Sequence, residues 1–403
     1  MKKIKTLICN YSYVLLLGII AAGIGVITGT LDALFGRVLL WITSFRENNA
    51  VFLIPFLALA GACIIYFYNR FGKNSINGMS LIFKAGHGDS EKIPLRLIPF
   101  VMLSTWITHL FGGSAGREGV AVQIGAVVGH RVGGMIPVNN APRILLIAGM
   151  AAGFGGLFQT PIAAVFFALE VLSAGKLLYD ALLPALVASY ISALTAGFLG
   201  LKKFSIILTD NVELTWLLII QIVIMAIIFG IIGGLFAHIL HRLKDKFAKW
   251  FVNPIKRIVI FGIIISVCSL ICYMGRYSGL GTNLIADSFN GNVYSYDWLL
   301  KFAFTIVTLA CGFQGGEVTP LFAIGATLGV VISSLLGFPV LLGAALGYAA
   351  VFGSASNTLL APIFIGAEIF GFRYIPLFFI VCTIAYVFNG NKSIYGLQKK
   401  KAL

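Results

Sequence analysis

Charge is what this sequence has least of. Only 11% of its 403 residues are charged, and Asp and Glu together number 14. A soluble domain carries about a quarter charged residues. A chain this poor in charge, 59% apolar and with a mean hydropathy of +0.98, belongs in a lipid bilayer. Histidines number 5 and cysteines 6, and neither shows metal-site spacing. His238 and His241 have no third ligand near them and read as a loop-facing pair. Cys9, Cys63, Cys268, Cys272, Cys311 and Cys382 lie in or beside apolar runs and read as buried free thiols acting as small hydrophobes. No metal and no cofactor is expected. The alternating pattern of membrane β-strands is missing too, which excludes a barrel.

What is present is apolar length. Crossing the hydrocarbon core takes roughly 20 apolar residues per helix. The clearest such runs are 11–27, 51–68, 144–171, 216–240, 258–273 and 376–388. They predict an all-α polytopic membrane protein of roughly ten or more helical segments, several too short or too glycine-broken to span alone. The start, Met1-Lys-Lys-Ile-Lys5, is similar to a signal peptide. The apolar stretch after it is too long and lacks a clear cleavage site, so a retained first helix is expected. The net charge is +15, from 29 Lys+Arg against 14 Asp+Glu. That excess clusters in short loops and at both ends, which is the positive-inside pattern and not a nucleic-acid surface. Lys2, Lys3 and Lys5, together with Lys399, Lys400 and Lys401, mark both termini as cytoplasmic. Arg242, Lys244, Lys246, Lys249, Lys256 and Arg257 mark a central cytoplasmic loop. No soluble domain is expected after the last apolar run.

The two halves resemble each other at an offset of about 200 residues. Gly116-Arg-Glu-Gly-Val matches Gly315-Gly-Glu-Val-Thr, and Ile124-Gly-Ala-Val-Val-Gly129 matches Ile324-Gly-Ala-Thr-Leu-Gly329. Ala151-Ala-Gly-Phe-Gly155 matches Ala349-Ala-Val-Phe-Gly353, and Thr160-Pro161 matches Ala361-Pro362. Four matches in order at nearly one offset are hard to assign to chance. Region 81–96 holds Lys84, Lys92 and Arg96, while its mate 280–295 holds no Lys or Arg. Region 241–257 holds six basic residues, and its mate 42–57 only Arg46. Mated loops of opposite charge lie on opposite sides, so the repeats 1–205 and 206–403 are expected to be inverted and packed as one unit.

Gly112-Gly-Ser-Ala-Gly-Arg-Glu-Gly119 is too glycine-rich for a plain helix. Glycines let backbone N–H groups point at a ligand, and the apolar run behind them starts a helix whose N-terminus carries about +0.5 charge. That is an anion site made without lysine or arginine. Gly315-Gly-Glu-Val-Thr-Pro320 repeats the design, with Pro320 suited to a first helical turn. In an inverted pair the two starts meet near the midplane. Glu118 lies inside this site. A carboxylate at that depth costs roughly 2.5–3.5 kcal/mol on insertion scales. It can take the anion's place when charged and leave when protonated, which couples proton to anion. The competing assignment is a buried pair with Arg117. For Glu317 it is a capping carboxylate at the helix start.

These residues resemble the CLC family of anion channels and proton-coupled antiporters. Gly116-Arg-Glu-Gly119, the helix start at 316–320, Thr160-Pro-Ile-Ala-Ala164 and Tyr395 carry the resemblance over nearly the whole chain. Four departures point to the fluoride/proton antiporter branch. Met79 stands where chloride-type members have a serine, Val120 ends the Gly-Arg-Glu-Gly motif, and Val318 replaces a phenylalanine. Val171 stands where an inner proton-transfer glutamate is usual, with Glu170 one position early. The resemblance implies proton coupling by Glu118, Glu317 and Thr319. It implies anion binding around Met79, Val318, Tyr395, Gly116 and Gly119, and a homodimer in a lipid bilayer carrying fluoride and protons. Asn77 and Ser80 are plausible further donors. Asp32, Glu170 and Glu368 read as helix-capping or helix-packing acids. Met79 alone could be a packing residue and Tyr395 an interfacial anchor.

Two other readings compete. A CLC chloride channel or chloride/proton antiporter would favour a hydroxyl at position 79, which Met79 lacks. An intramembrane enzyme needs a nucleophile with its base, or metal ligands. Gly112-Gly-Ser-Ala-Gly116 fits Gly-x-Ser-x-Gly with Ser114 as nucleophile, but that motif works on a strand-to-helix elbow, and no sheet fits this chain. A non-enzymatic transporter is the expectation.

Overall fold

The computed structural model describes residues 2–89, 92–138, 140–208 and 215–400, with side chains from Ser12 onward. Lys401 and the side chains of Lys2, Lys3, Lys5 and Cys9 lie outside the described residues. The described residues form sixteen helices of nine residues or more and no strand. The first eight are α1 (Lys2–Asn48), α2 (Leu57–Phe67), α3 (Met79–His87), α4 (Leu97–Leu110), α5 (Glu118–Gly133), α6 (Ala141–Phe158), α7 (Pro161–Glu170) and α8 (Leu182–Phe198). The second eight are α9 (Trp216–Trp250), α10 (Pro254–Ile271), α11 (Thr282–Asn290), α12 (Asp297–Cys311), α13 (Val318–Leu336), α14 (Val340–Ser356), α15 (Leu360–Phe370) and α16 (Ile375–Val387). Seven helical stretches are long and apolar enough to cross a membrane. Large apolar side chains such as Phe198 and Trp216, 91% and 82% exposed, belong against lipid rather than water.

Glycine sets how closely the helices approach. A Cβ on Gly125 of α5 would lie 1.9 Å from Gly149 O, and one on Gly149 of α6 would lie 2.0 Å from Gly125 O. Gly325 of α13 and Gly347 of α14 repeat this, with 2.1 Å each way. These contacts bring backbone onto backbone, the small-residue packing of membrane helices. The glycines of the 124–129 and 324–329 repeat therefore serve helix crossing and not the ion site. Gly25 and Gly29 do the same for α1 against α8, where a Cβ would meet Ala188 O at 2.7 Å and Ser192 O at 2.5 Å.

The run 144–171 is two helices. Gln159, at φ +59°, ends α6, and Pro161 occupies the first turn of α7, where a missing N–H does no harm. α7 and α15 pair, with Phe166 and Phe364 stacked at 4.5 Å. Glu170 accepts from the N–H groups of Leu359, Leu360 and Ala361 at 3.1, 3.1 and 2.8 Å. Glu368 accepts from Ile162 and Ala163 at 3.2 and 2.9 Å. Each acid at a helix end caps the start of the other helix.

Three expectations need correction. His238 and His241 lie on α9, not on a loop, because the helix runs through the basic stretch to Trp250. The basic residues 242–249 are therefore helical as well. Cys63 and Cys268 are exposed, while Cys311 and Cys382 are buried. Exposed neighbours of these thiols on the same helices include Leu59, Tyr66, Ile264 and Ile271, all large hydrophobic side chains.

Candidate functional site

The two glycine-rich motifs meet backbone to backbone. Gly116 N donates to Gly316 O at 2.5 Å, and Gly316 N donates to Gly116 O at 2.8 Å, an isolated antiparallel bridge. Only glycine fits here. Gly315 has φ +155°, and a Cβ on it would lie 2.5 Å from the Cβ of Ala115. From this bridge α5 starts at Glu118 and α13 at Val318, so two positive helix ends converge.

Glu118 has no exposed surface. Its carboxylate crosses to the second helix start. Thr319 Oγ1 donates to it, at 2.5 Å from Oε1 and 2.6 Å from Oε2, and Thr319 N donates to Oε2 at 3.0 Å. Arg117 N donates to Oε2 at 3.2 Å, while the Arg117 guanidinium is looser, with Nε 3.7 Å from Oε1. Arg117 Nε and Nη1 have no hydrogen-bond partner, so the side-chain pair does not account for the acid's position. The carboxylate stands where backbone N–H groups would hold an anion. It is Glu118 that caps α13. Glu317 stands at the N-cap position without a side-chain cap bond.

A cavity of about 680 Å³ opens beside the bridge. Met79, Gly119, Glu317 and Tyr395 line it, as do Asn77 and Ser80. Met79 begins α3 after Gly78, at φ +42°, so a third helix start faces the same space. Tyr395 stacks on Phe83 at 5.3 Å. It is 6% exposed, and its hydroxyl is buried without a hydrogen-bond partner. A buried O–H left unpaired is costly, and this one belongs to the cavity lining. The strand-like stretch that carries it is tied down on both sides: Ile394 N donates to Ala355 O at 2.8 Å, and Lys399 N to Leu172 O at 3.1 Å. His241, Lys244 and Arg257 bring basic groups to the wall. Gly116, Glu118, Val318 and Thr319 are not among the lining residues, and Val318 makes no polar side-chain contact. It is 1% exposed and packs in the core instead of lining the cavity.

Gln123 was not legible in the motif. It lines the cavity, gives Nε2 to Gly119 O at 3.0 Å, and leaves Oε1 unpaired. Its position one turn after Gly119 on α5 was the available signal.

A profile of the voltage-gated chloride channel family matches residues 59–390, so the chain belongs to that family. It is 35% identical over 387 residues to a chloride/fluoride channel protein of Pseudomonas syringae pv. tomato, covering 94% of this chain and 85% of that one. The crystal structure of a CLC-type fluoride/proton antiporter superposes with a TM-score of 0.95 at 51% identity, covering 97% of this chain and 99% of that one. A slow cyanobacterial Cl−/H+ antiporter shares the fold, with a TM-score of 0.81 at 20% identity over 93% of this chain and 94% of that one.

Proposed function

We propose that this protein exports fluoride across the cell membrane in exchange for protons. The observation that carries the reading is the Glu118 carboxylate, held by the hydroxyl and backbone N–H of Thr319 at the second helix start. Protonation removes its charge, weakens those bonds and frees the N–H groups for fluoride. Deprotonation reverses the exchange. The 51% identity to a fluoride/proton antiporter supports fluoride over chloride, as does Met79, which brings no hydroxyl to the cavity. Tyr395, with its unpaired hydroxyl, Gly116 and Gly119 complete the anion path. Glu317 is the inner proton carrier in place of the missing acid at Val171. Val318 acts through packing at the helix start.

The repeats 1–205 and 206–403 are inverted halves of one unit. The antiparallel bridge between Gly116 and Gly316 and the reciprocal caps of Glu170 and Glu368 are what such a two-fold relation produces. Both termini are cytoplasmic, and the protein works as a homodimer. It is not an enzyme: Ser114, the nucleophile an enzyme reading would use, has no exposed surface.

Efflux from vesicles loaded with either fluoride or chloride tests the substrate. Fluoride should leave much faster than chloride, with alkalinisation or acidification tracking the fluoride. Equal rates would falsify the fluoride assignment.

A further inference from the structure

Lys301, on α12, is used neither by the motifs nor by the cavity, yet it has no exposed surface. Its Nζ donates to Gly279 O at 2.7 Å, Ser114 Oγ at 2.9 Å and Tyr277 O at 3.1 Å. Two of these partners are carbonyls. The third is an acceptor as well. Thr305 Oγ1 gives its own proton to Lys301 O at 2.8 Å, so the 2.9 Å bond between Ser114 and Thr305 uses the Ser114 proton. Three acceptors call for three N–H groups, which only the ammonium form supplies. An ammonium at Lys301 satisfies all three acceptors at once, and we take Lys301 as charged on that ground.

Among the described residues no carboxylate pairs with it. Asp297, one turn earlier on α12, accepts at Oδ1 from Arg276 Nε and Tyr277 Oη, and at Oδ2 from Arg276 Nη2 and Tyr294 N. Arg276 also pairs with Asp287 at 2.9 Å. Arg46, 4% exposed, reaches the same place from α1 and gives Nη1 to His109 O at 3.2 Å. Its nearest acid, Glu47, is 3.5 Å away and 53% exposed. The His109 ring stands between Thr105 O and Ala115 O, at 2.8 and 2.9 Å. Two glycines make room for the cations. A Cβ on Gly279 would lie 2.2 Å from Arg46 Nη1, and one on Gly281 would lie 2.7 Å from Lys301 Cε.

The cluster connects directly to the ion site. Gly279 O accepts from Lys301 and also from Ala115 N at 3.2 Å, and Ala115 precedes Gly116 of the bridge. A buried ammonium answered by neutral oxygens is costly, and a methionine would pack there without that cost. We propose that Lys301, with Arg46 beside it, supplies positive potential behind the paired helix starts and so sets the affinity for the transported anion. Lys301 touches neither the anion nor Glu118. It acts through its field and is a positioning residue. The alternative is a neutral clamp that merely joins the loops at 113–116 and 277–281. This inference rests on the bridge being the anion path.

Two variants separate charge from clamp. Lys301→Met removes the charge at similar length. Thr305→Val removes the acceptor of Ser114 and loosens the same cluster with the charge kept. The readout is the anion concentration giving half-maximal efflux from reconstituted vesicles, scored on whichever of fluoride and chloride the wild type carries. Lys301→Met should raise that concentration about tenfold, the size of effect a unit charge has across roughly 10 Å at an effective dielectric constant of about 20. Thr305→Val should stay within about twofold. A folded Lys301→Met protein within twofold of wild type overturns the proposal, as does Thr305→Val weakening affinity as much as Lys301→Met. If Lys301→Met does not fold, Arg46→Gln takes its place: weaker affinity supports the field, and unchanged affinity rejects it. Wild-type vesicles that carry neither anion would defeat the anion-path reading itself, before any variant is scored.

Discussion

A buried carboxylate that accepts from both the hydroxyl and the backbone N–H of one threonine has two stable options: stay charged and bonded, or take a proton and let go. Glu118 is in the bonded arrangement here, and Thr319 is the partner it would release in the proposed exchange. Thr319→Val keeps the shape and removes the hydroxyl, so the charged state loses a charge-assisted bond worth about 1.5–3 kcal/mol. Exchange should then become less tightly coupled, measured as fewer protons moved per fluoride. An unchanged ratio would place the coupling elsewhere. Tyr395→Phe removes a buried, unpaired hydroxyl from the cavity wall. Fluoride affinity should fall several-fold, by isothermal titration of the purified protein, with no loss of folded yield. Glu317→Gln keeps size and hydrogen bonding but cannot carry a proton. Proton-coupled transport at near wild-type rate in that variant removes Glu317 from the route. The charged residues at this scale were legible from cost alone, because an acid in an apolar run calls for a reason. Val318 lies buried at the helix start, and a motif position does not say which way a side chain points. Lys301 was missed because its partners, Ser114, Tyr277 and Gly279, lie far from it along the chain; Gln123 was missed because its one bond, to Gly119 O, is local and says nothing of the cavity.

At the scale of elements, two kinds of joint hold the site. One is the glycine crossing, α5 on α6 and α13 on α14. Because Cβ atoms at 125, 149, 325 and 347 would meet carbonyl oxygens at 1.9–2.1 Å, there is no small adjustment that admits a side chain. Gly149→Leu should abolish folded protein by size-exclusion chromatography in detergent. A monodisperse Gly149→Leu species would contradict the packing described. The other joint is the reciprocal cap. Glu170→Ala strips acceptors from three backbone N–H groups at the start of α15, a loss of about 1–3 kcal/mol, and should lower the unfolding temperature measurably while Glu118 chemistry persists. An unchanged unfolding temperature would count against the cap. Seven of the sixteen helices were readable as apolar runs, and the ion-site starts were readable from glycine followed by an apolar stretch. Helix ends were not. The run 144–171 hid a break at Gln159, whose left-handed backbone leaves little trace in composition. The basic stretch at 242–249 stayed helical because α9 continues past the apolar run, where lysine and arginine are good helix formers.

For the whole molecule, the repeat read at an offset of about 200 residues accounts for the order of the helices. The first eight are matched in turn by the second eight, and the two starts meet at Gly116 and Gly316. In the inverted arrangement we propose, two positive helix ends come to one point. Lys301 and Arg46 stand behind it, while Lys244 and Arg257 stand on the cavity wall. A homodimer is expected, each subunit with its own pathway. Crosslinking in lipid should capture pairs, and a product that is monomeric throughout would count against it. The central claim is that fluoride movement is tied to proton movement through Glu118. The direct measurement uses vesicles holding a fluoride gradient with no initial pH difference and the membrane voltage clamped by a potassium ionophore. Wild-type protein should drive protons uphill, against the pH difference that develops, and Glu118→Gln should move none. Uphill proton movement persisting in Glu118→Gln, or none in the wild type while fluoride flows, would contradict the account.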